Sequence, residues 1–255
     1  MSHQLLAYNK LSHYVNFSGK IILEIGGNQK MESVVPFMKS GADKIFVTGL
    51  GHISKNNIFH DGRIEILRAN GHDIRSIFGD NIFDCIYGLS IVEHITQLSN
   101  FLEQVFYVLK PGGLAFFEGS PIWSSKKGHH LWVRKKNINY LFDPLFPADT
   151  PVINPIPDWG HLLFGRDELK SIILRQQIPD DDVELIMNWI FNNPEINRYF
   201  HRDISVSFSS CPLITLEIGN DCEVVPAEVL NILRAKHGSM NNYGVNRVQY
   251  VLAKP

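Results

Sequence analysis

Histidine is the side chain whose ordinary pKa lies close to neutrality, so a histidine near a polar ligand can take a proton at physiological pH. The stretch "EGSPIWSSKKGHHLWVRKK", Glu118 to Lys136, holds His129 and His130 together with Trp123, Trp132 and five basic residues. "DWGHLLFGRDEL" follows, with His161 just ahead of a helical pattern. All three histidines are candidate general bases. A His-His pair in a loop is also an ordinary surface feature, and the Lys126-Lys127 and Arg134-Lys135-Lys136 runs also suit solvated faces. If those cations line a pocket, they favour a phosphorylated or nucleotide-linked ligand. "EINRYFHRD", Glu195 to Asp203, adds a histidine and two arginines. No acid stands at a recognisable ligand spacing from these histidines, so no metal site is expected.

A second place for chemistry is "ILEIGGNQK", Ile22 to Lys30. An apolar run ends in Glu24-Ile25, and Gly26-Gly27-Asn28 then turns the chain. Glycine lets a backbone pass close to a ligand. A dinucleotide fingerprint would want GxGxxG, but its third glycine position is Met31, so the loop suits a ligand without a pyrophosphate.

These residues need elements to hold them. Lys20–Ile25, Lys44–Gly49, Ile64–Ala69, Phe83–Gly88 and Gly113–Gly119 are predicted strands. Met31, Val34, Val35 and Met38 predict a helix over Gln29–Ser40, ended by Gly41. Leu98, Phe101, Leu102, Val105, Phe106 and Leu109 predict another, stopped at Pro111-Gly112-Gly113. Apolar strands separated by helices mean a mostly parallel sheet covered on both faces, with ligands beyond the carboxyl ends of its strands. Residues 120 to 160 show little periodicity, as in a lid, a binding segment or an insertion. Helical patterning returns at Arg166–Gln176, Asp181–Asn192 and Pro226–His237, and Pro212–Ile218 and Asn246–Pro255 are predicted closing strands.

Two motifs in order carry a resemblance. "FDCIYGLSIVEHI", Phe83 to Ile95, and "VLKPGGLAFF", Val108 to Phe117, resemble the class I S-adenosylmethionine-dependent methyltransferases over roughly residues 20 to 120. The resemblance implies a seven-stranded sheet, six strands parallel and one antiparallel, in a single α/β domain over 1–255. Within it, 1–19 is a cap, 20–119 the cofactor core, 120–205 an acceptor-side insertion and 206–255 the closing strands and helix. S-adenosylmethionine is the implied cofactor. The implied contacts are Glu24, Gly26, Gly27 and Asn28 in the first loop, Leu50 and Gly51 after the second strand, Asp73 and Ile74 after the third, and Leu89 and His94 after the fourth. Asp73 would face the adenine amine. The chain departs from the family in lacking further glycines at Asn28 and Lys30. It also lacks an acid at Gly51, where both ribose hydroxyls are usually held, which leaves His52 as a neighbour for that role.

The stretches "GSPIWSS…GHHLW" and "HLLFGRDEL" resemble a subgroup tied to glycan or surface-polysaccharide biosynthesis. O-methylation of a small polar acceptor, a sugar or phosphorylated glycan precursor, is the expected reaction. N- or carboxyl-methylation and a non-catalytic binding module are the alternatives.

The 255 residues are 44% hydrophobic and 20% charged with a formal net charge of −2. That suits a globular chain and gives nucleic acid or an anionic membrane no global attraction. No apolar run is long enough to span a bilayer. Three cysteines without a CxxC and an N-terminus without a signal peptide's apolar core fit a reducing, cytoplasmic setting. Cys85 is expected in the core.

Overall fold

The computed structural model of the chain describes residues 3–27, 30–51, 53–131, 133–134, 152–176 and 178–255. The chain folds into two compact units. The first takes Met1–Gly119, Ile204–Asn220 and Val248–Pro255, and the second Ser120–Asp203 and Asp221–Arg247.

The strands of the first unit are β1 (Ile21–Ile25), β2 (Lys44–Gly49), β3 (Asn57–Phe59), β4 (Ile64–Arg68), β5 (Phe83–Gly88) and β6 (Leu109–Gly119). A short pair in the second unit, β7 (Val133–Arg134) and β8 (Val152–Ile153), comes next, then β9 (Ile214–Cys222) and β10 (Val245–Ala253). An eight-stranded sheet runs β3-β4-β2-β1-β5-β6-β10-β9. β1 pairs parallel with β2 and β5, β2 with β4, and β5 with β6, whereas β10 runs antiparallel to β6. The eighth strand beyond the expected seven is β3, antiparallel to β4. The hairpin between them turns through His60, Asp61 and Gly62, all at positive φ. Three residues between polar neighbours carry no strand periodicity, which hides β3 in the sequence.

Both faces of the sheet are covered, which is why its strands are apolar at consecutive positions. On one face Ile22, Ile45, Val47, Cys85, Tyr87 and Phe116 pack with Phe37 of α2 (Val35–Lys39) and with Ala7 and Leu11 of α1 (Leu6–Leu11). Phe37 stacks on Tyr87 with ring centroids 4.9 Å apart. On the other lie α3 (Ile74–Phe78) and α4 (Leu98–Val108), where Phe101 meets Phe117 edge-on at 5.2 Å. Cys85 is buried, and burial pushes its thiol up to about 12.

Two predicted boundaries move. The first predicted helix is found over Val35–Lys39: Met31 has φ 55, outside helical geometry, and Pro36 sits in the first turn of α2. β6 starts at Leu109 rather than Gly113, with a register shift against β5 between Phe83 and Cys85. The Asp of the Phe83-Asp84 pair has a structural task. Asp84 accepts the Ile21 N–H at 2.9 Å and pairs with Lys20 and Lys110, tying the start of β1 to β5 and β6.

The second unit is mostly helical: α5 (Gly160–Leu163), α6 (Arg166–Leu174), α7 (Asp180–Asn192) and α9 (Ala227–His237), with α8 (His201–Ser210) assigned mainly to the first unit. α7 opens on Asp180-Asp181-Asp182, favourable at a helix N-terminus, and buries Val183, Ile186, Met187 and Ile190. These side chains join Trp123, Leu131, Trp159, Leu162, Leu169, Leu233 and Tyr243 in one core. Among the described residues, no helix is long and apolar enough to cross a membrane.

Candidate functional site

The parallel strands of the first unit end together, and the sequence-predicted cofactor residues gather there. At the end of β1, Gly26 is exposed with φ 78, a backbone state that costs other residues energy. A Cβ on it would stand 2.4 Å from Ile91 Cγ2. Gly27 is buried, and its N–H donates to the Thr48 carbonyl at 3.0 Å. A Cβ on Gly49 would lie 2.7 Å from the Gly27 carbonyl oxygen, so the ends of β1 and β2 touch backbone to backbone.

Glu24 does not face outward. Its side chain is buried, Oε1 accepts the Ser33 hydroxyl at 2.5 Å, and Oε2 has no hydrogen-bond partner among the described residues. Burial pushes its carboxyl up to about 7, against the lowering effect of the Ser33 and Tyr87 hydroxyls. Glu24 therefore holds the loop from below, and Gly26 presents the surface. Asn28 and His52 lie outside the described residues.

After β2, Leu50 and Gly51 are exposed, and a Cβ on Gly51 would meet nothing within 4 Å. After β4, the Asn70 side chain accepts the His72 N–H at 3.1 Å and shapes a short turn over Gly71–Asp73. Asp73 is exposed at the start of α3 without capping it, so its carboxylate is available to a ligand. Ile74 is fully buried in the core, which leaves its backbone as the group that could meet a ligand. After β5, Leu89 is half-buried against the core and His94 is exposed in the turn Val92–His94.

Beside Leu89 lies a cluster that the sequence did not announce. Glu118, at the end of β6, is fully buried. Its Oε2 accepts the Ser90 N–H at 2.8 Å and lies 3.1 Å from His3 Nε2. Ser90 has φ 50, and its Oγ is 3.4 Å from the same histidine nitrogen. The partners are separated by 115 positions in the chain, so no local motif could reveal them.

The three candidate bases belong to the second unit, and all are buried. His161 Nε2 is 2.8 Å from the Trp123 carbonyl, so it donates there and Nδ1 is the unprotonated nitrogen. His129 Nδ1 accepts the Leu131 N–H at 3.1 Å, and His130 Nε2 donates to the Pro121 carbonyl. The His129 and His161 rings meet edge-on, 5.2 Å between centroids. Burial pushes His161 down to about 4 and His129 well below the ordinary histidine range. A base must gain charge, and burial resists that gain. Burial of His129 and His161 weighs against the role expected of them, and His130 Nε2 is held by a backbone carbonyl. Lys126 and Lys127 pair with Asp158, and Lys126 also with Glu223. Among the described residues, no group of three or more His, Cys, Asp or Glu side chains could hold a metal ion.

A methyltransferase domain family matches residues 48–117, from the end of β2 into the end of β6. No curated protein matches the chain. Solved structures share its fold. One is an S-adenosylmethionine dependent methyltransferase from Mesorhizobium loti, at 10% identity and TM-score 0.53, covering 95% of this chain and 94% of that one. Geranyl diphosphate C-methyltransferase from Streptomyces coelicolor A3(2), in complex with Mg2+, geranyl diphosphate and S-adenosyl-L-homocysteine, matches at 10% identity and TM-score 0.50, covering 97% and 77%. The [4+2]-cyclase SpnF matches at 10% identity and TM-score 0.51, covering 99% and 81%. The domain match over residues 48–117, within a sheet of this order, makes the chain similar to the S-adenosylmethionine-dependent methyltransferases in fold and in the segment from β2 to β6.

Proposed function

We propose that the enzyme methylates a hydroxyl oxygen of a small polar acceptor, a sugar or other glycan precursor. The observation that carries the choice of oxygen is the polar cluster of His3, Ser90 and Glu118 at the ends of β5 and β6. Its hydrogen-bonding groups stand next to Ile91, which touches the Gly26 position. An alcohol is a poor nucleophile until its proton can leave, and such a cluster supplies hydrogen-bond partners for that proton. The glycan class rests on the "GSPIWSS…GHHLW" and "HLLFGRDEL" resemblance. A phosphorylated precursor gains little from Lys126 and Lys127, whose charge is already met by Asp158 and Glu223.

The residues at the strand ends fit the cofactor. Gly26 offers backbone without a side chain, Gly51 opens on free space, and Asp73 has an exposed carboxylate for the adenine amine. When bound, S-adenosylmethionine supplies a methyl group on a sulfonium. The protein's part is alignment and a proton acceptor.

Incubating the enzyme with S-adenosylmethionine and a panel of sugars, sugar phosphates and sugar nucleotides, with S-adenosylhomocysteine release as readout, tests this reading. Release dependent on a hydroxylated acceptor is the expected result. Release driven only by amines or carboxylates would move the reaction to N- or carboxyl-methylation. Gly51 favours one other reading, a binding module on this fold, because no acid holds the ribose there. That reading expects weak cofactor binding and no release with any acceptor.

A further inference from the structure

We propose that Glu118 and His3 form a carboxylate–histidine pair in which His3 Nδ1 takes the proton of the acceptor hydroxyl. The proposal rests on the O-methylation reading and names the proton acceptor of that site.

The protonation pattern follows from the bonds. Glu118 Oε2 already accepts the Ser90 N–H at 2.8 Å, so it acts as an acceptor. His3 Nε2, 3.1 Å from the same oxygen, is then the donor. A neutral imidazole with its proton on Nε2 has a bare lone pair on Nδ1. A carboxylate that fixes the tautomer of a histidine and stabilises its charged form is a recurring arrangement for proton transfer. The two partners also differ in exposure as such a pair requires. The Glu118 side chain is 0% exposed, whereas that of His3 is 43% exposed and can meet a ligand.

The position is that of the reacting atoms rather than of a distant surface. Ser90, bonded to Glu118 and 3.4 Å from His3 Nε2, is followed in the chain by Ile91. Ile91 Cγ2 lies 2.4 Å from where a Cβ on Gly26 would be. The Ile91 N–H also donates to the Glu118 carbonyl at 3.1 Å, which fixes the turn after β5 against the end of β6. The segment that carries His3 is anchored, because α1 begins at Leu6 and buries Ala7 and Leu11 in the sheet's core.

The step balances. The acceptor oxygen forms a bond to the methyl carbon. The methyl–sulfur bond breaks with its electron pair left on sulfur, giving neutral S-adenosylhomocysteine. The hydroxyl proton passes to His3 Nδ1, and the imidazolium is held by Glu118 until solvent removes the proton.

Two measurements on the full chain test the pair. The first is nitrogen NMR of the His3 ring in the parent and in Glu118→Gln, with His3→Gln to assign the signal. The expected result is a neutral ring protonated on Nε2 in the parent, which loses that tautomer preference in Glu118→Gln. An Nδ1-protonated ring in the parent, or the same tautomer with and without the carboxylate, overturns the pair. The second is turnover of His3→Gln, which keeps a donor for Glu118 and leaves the buried acid in place. With a hydroxylated acceptor from the panel, kcat should fall by about 10²–10⁴ while S-adenosylhomocysteine affinity is unchanged. Parental kcat in His3→Gln overturns the base role alone. A parent that binds S-adenosylhomocysteine but methylates no hydroxyl overturns the O-methylation reading and the base role with it.

Discussion

Ser33 donates its hydroxyl hydrogen to Glu24 Oε1 at 2.5 Å, bridging the end of β1 and the turn that leads into α2. The carboxyl lies beneath the loop after β1: a Cβ on Gly27 would be 2.9 Å from Glu24 Oε2. Glu24, next to last in β1, thus acts on the Gly26-Gly27 loop.

That arrangement has a pH signature. The Glu24 carboxyl is pushed by burial from 4.5 up to about 7, so the folded chain binds more protons than the unfolded one between those values. Its contribution to stability is fullest below about 4.5 and is lost as pH rises through 7. Glu24→Gln keeps an oxygen for Ser33 and cannot ionise. Urea unfolding should give a near-parental midpoint at pH 5 and a variant more stable by about 1–3 kcal/mol at pH 8. The same difference at both pH values would mean that Glu24 carries its charge without penalty.

Gly51 leaves room for the ribose-binding acid that the family usually has. A Cβ there meets nothing within 4 Å, and its φ is not in the left-handed region. Gly51→Asp should tighten S-adenosylhomocysteine binding by about tenfold or more, as a hydrogen bond to a charged group contributes roughly 1.5–3 kcal/mol. Unchanged or weaker binding in calorimetry would place the ribose away from the end of β2.

Asp73 should recognise the adenine amine. Asp73→Ala should lose about 1–3 kcal/mol of cofactor affinity, and the loss should shrink for an analogue without the exocyclic amine. An equal loss for both ligands would make Asp73 a determinant of the turn after β4 instead.

His161 should behave as a structural residue. Burial pushes it from 6.5 down to about 4, so the folded chain binds fewer protons than the unfolded one in that interval. Its contribution is fullest above 6.5 and fades as pH falls through 4. His161→Leu strands the Trp123 carbonyl, and unfolding should show a loss of about 1–3 kcal/mol at pH 7.5 with a shallower acid dependence. Parental stability together with a large loss of kcat would return the base role to this histidine.

The parallel strands of the sheet were legible because they are buried on both faces and read as apolar runs. β3 and α8 were not. β3 is three residues long, and α8 reads "HRDISVSFSS", in which serines and β-branched residues give weak helical preference and packing of Ile204 and Phe208 decides. Near the proposed site, Gly26, Gly51 and Asp73 could be picked out from the resemblance to the methyltransferases, because each follows the end of a strand. His3 and Ser90 could not, since the buried Glu118 that gathers them belongs to a distant strand. The histidines at 129, 130 and 161 carry the residue type of a base, but burial and backbone partners govern whether such a side chain can accept a proton.

Calorimetric titration of S-adenosylhomocysteine into the full chain and into Gly26→Asp tests cofactor binding at the end of β1 most directly. The aspartate puts a side chain and a charge where the ligand must pass, at a backbone with φ 78. That strain should cost roughly 1–2 kcal/mol of stability, with circular dichroism still native. Saturable binding by the parent and none by the folded variant is the predicted result. Parental affinity in Gly26→Asp, or no binding by the parent, would contradict it.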